Sequence, residues 1–229
     1  MRMRLLCLVV VFCSGATIAR ADLAPPEPEI APMATEAPAG DYKVDLSHAD
    51  LAFRIDHIGM SKYTARFSRF EAALKFDPAN PASMSVSASI DVSSLMLPAP
   101  PEGFLEELLA PAWLYATAHP AISFQSTGVE LTSPNSARVT GDLTLLGVTK
   151  PVVLDVTFNG GYAGHMYEPN ARIGLSARSA FRRSDFGMTI GLPPPGSTMG
   201  VGDEVEVIIE AEFTGPPWAG APVPPAETP

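Results

Sequence analysis

The sequence predicts an all-β fold of antiparallel strands, either a sandwich or a barrel, and three alternating stretches indicate it. In residues 51–55 apolar side chains occupy every second position, and residues 84–92 repeat this pattern. Residues 205–213 do so again, with glutamates at three of the four positions between the apolar ones. Successive side chains of a strand point to opposite faces, so each stretch has one buried and one solvated face. Half-buried strands of this kind are typical of antiparallel sheets.

Further segments with strand character recur at regular spacing along the chain. The strand candidates are residues 64–76, 121–131, 137–146, 152–158 and 172–183. Turn-forming residues separate them, at positions 77–81, 133–135, 146–147 and 159–161. Short strands at regular intervals with turns between them favour a sandwich or a barrel.

One stretch departs from the strand period and predicts a short helix. Within residues 101–116, Phe104, Leu105, Leu108 and Leu109 have helical spacing, with two glutamates opposite them. Pro111 is expected to interrupt this helix, because a proline ring clashes with the preceding turn. The helix is either a packing element beside the sheet or a movable lid over a pocket.

The first 21 residues have the pattern of a cleaved export signal. Two arginines precede an apolar run from Leu5 to Cys13, and Ala19-Arg20-Ala21 forms a small-x-small cleavage site. The apolar run is shorter than the roughly 20 residues that span a bilayer. We therefore expect a signal peptide over residues 1–21 and a periplasmic, or else secreted, protein. Both cysteines lie in the signal, so thiol chemistry and cysteine-ligated zinc are excluded from the mature chain.

Composition divides the remaining chain into one folded domain with proline-rich ends. Residues 22–40 and 215–229 are rich in proline and poor in bulky apolar side chains, which predicts a flexible leader and a disordered tail. The domain is expected over residues 41–214. Removing residues 1–21 discards three arginines, so 12 basic residues face 25 acidic ones and the net charge falls from −10 to about −13. This balance argues against nucleic acid or an anionic membrane surface as the main partner.

The sequence lacks the usual catalytic and metal-binding motifs. It has no H-E-x-x-H, no phosphate-binding G-x-x-x-x-G-K and no G-x-S-x-G. Its four histidines are scattered, and only His48 and His57 could meet, if they lay on neighbouring strands. We therefore predict no catalytic residues, no metal and no cofactor.

Two places could still contribute polar chemistry to a binding site. His57 continues the apolar parity of its strand at the strand's end, as a binding feature or an accident of strand termination. Arg183 lies in a segment with a second arginine, Asp185, an aromatic residue and a glycine. Its guanidinium could hold an anionic head group through paired hydrogen bonds, or form a structural ion pair with Asp185 or a nearby acid.

Four sequence blocks occur in a characteristic order. They are Ser47-His48-x-x-Leu51-x-Phe53-x-x-x-His57 followed by Phe67 to Pro78, then Tyr115 to Thr127, Val139 to Val152, and Arg183-Ser184-Asp185-Phe186-Gly187. Together they cover nearly all of residues 41–213. The chain therefore resembles the YceI family, whose members are bacterial, mostly periplasmic proteins known as polyisoprenoid-binding.

This resemblance implies an eight-stranded antiparallel barrel of lipocalin type, with a short helix between strands and an elongated apolar cavity. The cavity would take a long-chain isoprenoid or another fatty amphiphile, which the protein would carry or store. Ala65 and Ala72 stand where the family usually has glycines, so the length of the ligand could differ. The candidate wall residues are Phe53, Ile55, Phe67, Phe76, Phe158 and Phe181, with His57 and Arg183 at the mouth.

Alternatives from other functional classes stay open on the sequence. An enzyme acting on a lipid or quinone-like substrate could use His57 as a general base beside Asp56 or Asp185. An interaction or stress-response module could instead be tethered to the envelope through the proline-rich ends. No integral membrane span is expected, a membrane partner is not identified, and a homodimer is one alternative for the oligomeric state.

Overall fold

The structure, a computed structural model, describes residues 30–220, so the predicted signal peptide lies outside the described residues. The strands are β1 (Gly40–His57), β2 (Ser61–Phe67), β3 (Phe70–Phe76), β4 (Ser85–Asp91), β5 (Leu95–Met96), β6 (Ala121–Ser133), β7 (Ser136–Leu145), β8 (Val148–Tyr162), β9 (Asn170–Arg182) and β10 (Val201–Pro217). One α-helix, α1 (Phe104–Leu109), lies between β5 and β6. Between residues 30 and 220, no helix has the length and apolar character needed to cross a membrane.

The sheet closes on itself through the pairing of its first and last strands. β1 pairs with β10 along most of its length, from Lys43 opposite Thr214 to His57 opposite Val201. On its other edge, β1 pairs with β3 near its start and with β2 near its end. All neighbouring strands are antiparallel. β2 with β3, and β4 with β5, act as two interrupted strands, so the predicted eight-stranded barrel is confirmed.

The interruption falls inside residues 64–76, which the sequence predicts as one strand. β2 ends at Phe67 and β3 begins at Phe70, with a corner at Ser68 and Arg69. The buried Ser94 holds this corner, since its carbonyl accepts from the Ser68 N–H and its hydroxyl oxygen accepts from the Arg69 N–H, both at 3.1 Å. The prediction of one continuous strand was wrong, because the buried side chains change from odd positions before the corner, such as Phe67, to even positions after it, such as Phe70 and Leu74.

α1 is shorter than the predicted helical stretch and ends where proline chemistry requires. Gly103 precedes it in the left-handed conformation, with φ of 77°, and Ala110 follows it in extended geometry. An extended backbone is what the residue before a proline favours, and Pro111 comes next. The chain then folds back, and the N–H groups of Leu114 and Ala116 donate to the carbonyls of Leu108 and Leu109. The predicted interruption at Pro111 is confirmed.

The residues before β1 are packed onto one end of the barrel, which differs from the flexible leader predicted for residues 22–40. The Thr35 hydroxyl donates to the Gly161 carbonyl at 3.2 Å, and Ala37 is buried. The Tyr42 hydroxyl donates to the Pro38 carbonyl at 2.8 Å, and burial raises the pKa of Tyr42 to about 12, which keeps it a donor. Thr35, Ala37 and Pro38 therefore have fixed partners on the barrel. Residues 22–29 lie outside the described part.

The end of the domain also lies later than the sequence predicts. β10 continues past Thr214 to Pro217, which pairs with Asn170 of β9. The Trp218 N–H then donates to the Pro169 carbonyl at 2.6 Å. The predicted tail thus begins in the sheet, because its first residues complete the β9–β10 ladder.

Candidate ligand-binding cavity

The barrel encloses one long apolar cavity of about 720 Å³. Each of the ten strands contributes side chains to its wall, almost all of them aliphatic or aromatic. At one end the wall includes Pro32, Met33 and Thr35 from the segment before β1, and at the other end it includes His57 and residues 98–101. The lining therefore extends along the whole barrel, and an extended ligand can occupy it.

All eight side chains predicted for the site line this cavity: Phe53, Ile55, His57, Phe67, Phe76, Phe158, Phe181 and Arg183. The aromatic members form two groups along its length. The ring centres of Phe53 and Phe67 lie 5.8 Å apart, and those of Phe76 and Phe158 lie 5.7 Å apart in a stacked arrangement. Strand periodicity brings these residues to one surface, and their contact with a ligand remains a prediction.

Ala72 and Ala65, which replace the glycines usual in the resembling family, occupy different environments. Ala72 lines the cavity, opposite Ala88 of β4. Ala65 is buried opposite Phe53 of β1 and is absent from the lining. Only the methyl group of Ala72 therefore takes space from a ligand directly.

Arg183 is the one charged side chain among the described residues that line the cavity, and its guanidinium is occupied by backbone oxygens. It is 1 % exposed. The four carbonyl acceptors are Gly202 at 2.8 Å from Nε, Met188 at 3.0 Å and Ile190 at 2.8 Å from Nη1, and Val201 at 2.9 Å from Nη2. Burial lowers the pKa of Arg183, which the negative charge of Asp203 partly opposes.

Both sequence hypotheses for Arg183 need correction. Asp185 makes no ion pair with it in the described chain; the Arg183 side chain is held by main-chain carbonyls instead. Those same bonds use four of the five N–H groups of the guanidinium, so it cannot present a paired donor fork to an anionic head group. Arg183 joins the start of β10 to the loop after β9, and its role is structural.

His57 lies at the rim of the cavity, exposed at the end of β1. Among residues 30–220 its ring has no hydrogen-bond partner, whereas the Asp56 carboxylate accepts from the Gly59 N–H at 2.8 Å. Neither Asp56 nor Asp185 therefore orients the imidazole, and the arrangement that a general base needs is not formed.

A second polar group lies on the outside of the barrel, where β1 bulges between Val44 and Ala49. Ligand atoms of Asp45, His48 and Glu212 lie within 4.8 Å of one another. The Arg172 guanidinium already bridges the two carboxylates, with its Nη1 2.7 Å from Asp45 and 2.9 Å from Glu212. This cation offsets one of the two negative charges and occupies the space between them, so we interpret the group as an ion-pair network.

The position of His48 on β1 excludes a histidine pair and a catalytic relay. His48 and His57 lie on one strand, β1, nine positions apart, so the hypothesis that they meet across neighbouring strands was wrong. The Ser47 hydroxyl and the Asp45 carboxylate both contact Nδ1 of His48, each at 3.0 Å. A catalytic relay needs its base to use both ring nitrogens, so these residues do not form one.

Sequence reasoning missed cavity residues that lie outside the strands. They include Pro32, Met33 and Thr35 before β1, the run Pro98–Pro101, and Trp113 and Leu114 after α1. All belong to proline-containing segments without strand periodicity, so no face could be assigned to them. Their one available signal was the absence of charge from residues 95–101, which is unusual for a solvated loop.

Comparison with known proteins yields one consistent set of relatives. Residues 42–213 match the family model described as the YceI-like domain. A UPF0312 protein of Ectopseudomonas mendocina (strain ymp) is 32% identical over 179 residues, which cover 77% of this chain and 88% of the relative. A UPF0312 protein of Pectobacterium carotovorum subsp. carotovorum (strain PC1) is 35% identical over 181 residues, covering 78% and 88%.

Solved structures show the same architecture. The crystal structure of Burkholderia cenocepacia BcnA is similar with a TM-score of 0.63 at 25% identity, covering 74% of this chain and 98% of BcnA. A Campylobacter jejuni YceI protein is similar with a TM-score of 0.58 at 26% identity, covering 69% and 88%. A polyisoprenoid binding domain from Saccharophagus degradans shares the fold, with a TM-score of 0.54 at 12% identity, covering 76% and 98%.

Proposed function

The chain belongs to the YceI-like family, and on this premise we propose that it is an exported binding protein for a long-chain isoprenoid or a similar amphiphilic lipid. The observation that carries the proposal is the apolar cavity of about 720 Å³ along the barrel. This volume lies within the range of pockets that hold one small ligand. Burial of an apolar chain against such a wall removes both surfaces from water, which supplies the free energy of binding.

The chemistry of the lining supports a ligand with an uncharged head group. The guanidinium of Arg183 is bonded to four carbonyls, and the other described lining residues carry no fixed charge. An anionic head group drawn into the wall would lose its hydration without gaining an ion pair. The ligand's head therefore is neutral or stays outside, at the rim near His57.

Binding rather than catalysis is proposed because no described polar group at the cavity has the partners that catalysis needs. A domain of the same fold from Saccharophagus degradans is described as polyisoprenoid binding, which supports the choice of ligand class. Export is proposed on the pattern of residues 1–21 alone, and N-terminal sequencing of the cellular protein would test it. A mature protein beginning at Asp22 in the periplasmic fraction is the expected result.

Organic extraction of the protein purified from its native host, followed by mass spectrometry, tests the proposed binding. We expect a long-chain neutral lipid in the extract, at a molar ratio close to one. Titration with a fluorescent prenyl alcohol and a fluorescent prenyl diphosphate tests the head group, and the alcohol is expected to bind at least as tightly. The absence of any extracted lipid, together with no uptake of either probe, would contradict the proposal.

A further inference from the structure

Three uncharged segments surround the end of the cavity where β1 and β9 finish. They are residues 58–60, residues 97–101 and residues 187–200, and together they are called the mouth rim. Large apolar side chains of the rim are exposed: Met60 by 84%, Met199 by 69% and Ile190 by 46%. Exposed apolar groups that cluster at one end of a protein indicate an interaction surface.

Two segments of the mouth rim, residues 58–60 and 187–200, are held in place by contacts with each other and with Arg183. The Ile58 N–H donates to the Gly200 carbonyl at 2.9 Å, and a β-carbon at Gly59 would lie 2.8 Å from the Thr198 side chain. Arg183 fixes the other side of the longest segment through the carbonyls of Met188 and Ile190. These contacts fix the positions of the two segments at the mouth of the cavity.

The mouth rim is also continuous with the cavity. Residues 98–101 and Met188 belong both to the rim and to the cavity wall, and Pro98 to Pro101 are exposed to solvent. A ligand leaving or entering the barrel at this end would pass directly between the rim segments. A surface that received the rim would then receive the ligand without exposing its apolar chain to water.

The absence of charged residues from the mouth rim indicates which kind of surface it can contact. The whole chain contains 25 acidic and 15 basic residues, yet residues 187–201 and 95–101 contain none of either. An anionic membrane or a basic protein would find no opposite charge on the rim, whereas a zwitterionic lipid surface requires none. Burying uncharged rim groups among neutral head groups avoids the desolvation that charged side chains would impose.

The backbone of the rim also has a reduced number of N–H groups that would lose their water at a lipid interface. Six prolines occur in it, at positions 98, 100, 101, 193, 194 and 195. Each lacks the N–H that would lose its water on entering a lipid interface. The cost of inserting these loops is therefore lower than that of ordinary loops of the same length.

We propose that the mouth rim docks the barrel onto a zwitterionic lipid surface, from which the ligand enters the cavity. This inference rests on the proposed function for its purpose, but its structural basis is the neutral apolar rim. The contact is hydrophobic, so raising the salt concentration from about 0.05 M to about 0.5 M leaves it unchanged. Adding anionic lipid weakens it, since the chain is acidic.

Sedimentation with phosphatidylcholine vesicles tests the docking with a matched pair of variants. The double variant Met60→Ser/Met199→Ser removes two exposed apolar side chains from the rim. The control variant Met166→Ser/Tyr167→Ser removes two from the opposite end of the barrel, where Met166 is 73% and Tyr167 is 85% exposed. The rim variant is expected to lose at least about tenfold in vesicle partitioning, whereas the opposite-end variant keeps it. Both variants are expected to take up fluorescent prenyl alcohol from solution as the wild type does.

The two readouts separate this inference from the proposed function. A wild-type protein that takes up the probe but does not sediment with vesicles would overturn the docking. Equal loss in both double variants, or a greater loss at the opposite end, would overturn it as well. Absence of probe uptake, together with no lipid in the organic extract, would contradict the lipid-binding proposal, while rim-dependent sedimentation would still support the docking.

Discussion

The guanidinium carbon of Arg183 lies 5.7 Å from the centre of the Trp113 ring. Arg183 directly follows β9, and Trp113 follows α1. The contact therefore joins the helical region to the connection between β9 and β10. A guanidinium over an indole face is favoured by the ring quadrupole, and more so when water is excluded. With its four carbonyl bonds, Arg183 links three separate segments around the mouth of the cavity.

Replacing this arginine is expected to destabilise the fold. Arg183→Met leaves the carbonyls of Met188, Ile190, Val201 and Gly202 without their donor in a buried position, at a cost of about 3 kcal/mol in the free energy of unfolding. Urea denaturation followed by circular dichroism measures it. The control is Arg182→Met on the exposed neighbouring residue, for which a change within about 0.5 kcal/mol is expected. Equal effects of the two substitutions would refute the structural role of Arg183.

Narrowing the cavity at Ala72 is expected to weaken ligand binding without loss of stability. Ala72→Phe places a ring in the cavity, whereas Ala73→Phe places the same ring on the exposed outer face of β3. Affinity for fluorescent prenyl alcohol should fall at least about tenfold in the first variant only, because the ring occupies volume the ligand needs. Titration gives the affinity, and urea denaturation confirms that both variants fold. Unchanged affinity in Ala72→Phe would show that the probe binds elsewhere.

The wall of the cavity could be predicted from the sequence because it depends on a local rule. Alternation with a period of two assigns a face to each residue of a strand, and all six aliphatic and aromatic candidates, such as Phe53 and Phe158, do line the cavity. The boundary between two strands, in contrast, can depend on residues that are distant in sequence. The corner after Phe67 depends on the buried Ser94, which is distant in sequence.

The role of Arg183 and the packing of the leader could not be predicted, for a related physical reason. Side-chain type says that a guanidinium seeks acceptors, but four carbonyls converge on it only after the loop before β10 has folded. The proline-rich composition of the leader indicates little burial. Ala37 is nevertheless buried, because Gly161 of β8 leaves space where a β-carbon would lie 2.9 Å from it.

Removal of the His57 ring is expected to have little effect on ligand binding. The ring is exposed and has no hydrogen-bond partner among residues 30–220, so His57→Ala should change the affinity for prenyl alcohol by less than about twofold. The matched control is Phe53→Ala on the same face of β1, for which a loss of about tenfold is expected from the apolar surface removed. Titration of both variants decides it. A tenfold loss in His57→Ala would instead show that the imidazole holds the head of the ligand.

The ion-pair network on the β1 bulge predicts a pH-dependent contribution to stability. The Ser47 hydroxyl, the His48 ring and the Arg172 guanidinium hold the pKa of the Asp45 carboxyl well below its usual range. A carboxyl with a depressed pKa in the folded state contributes stability above its pKa in the unfolded chain, about 3.9, and this is lost as the pH falls further. Because Asp45 is partly exposed, we expect Asp45→Asn to cost about 1 kcal/mol at pH 7.

The pH profile distinguishes this electrostatic contribution from simple loss of packing. The difference in unfolding free energy between the wild type and Asp45→Asn should be constant from pH 7 to about pH 5 and shrink below about pH 4, as the wild-type carboxyl takes up its proton. Asp41→Asn, at an exposed position on the same strand, serves as the control and should show no such profile. A difference that stayed constant down to pH 3 would mean that the substitution disturbs the packing or the neutral hydrogen bonds of the bulge, and that the negative charge facing Arg172 contributes nothing.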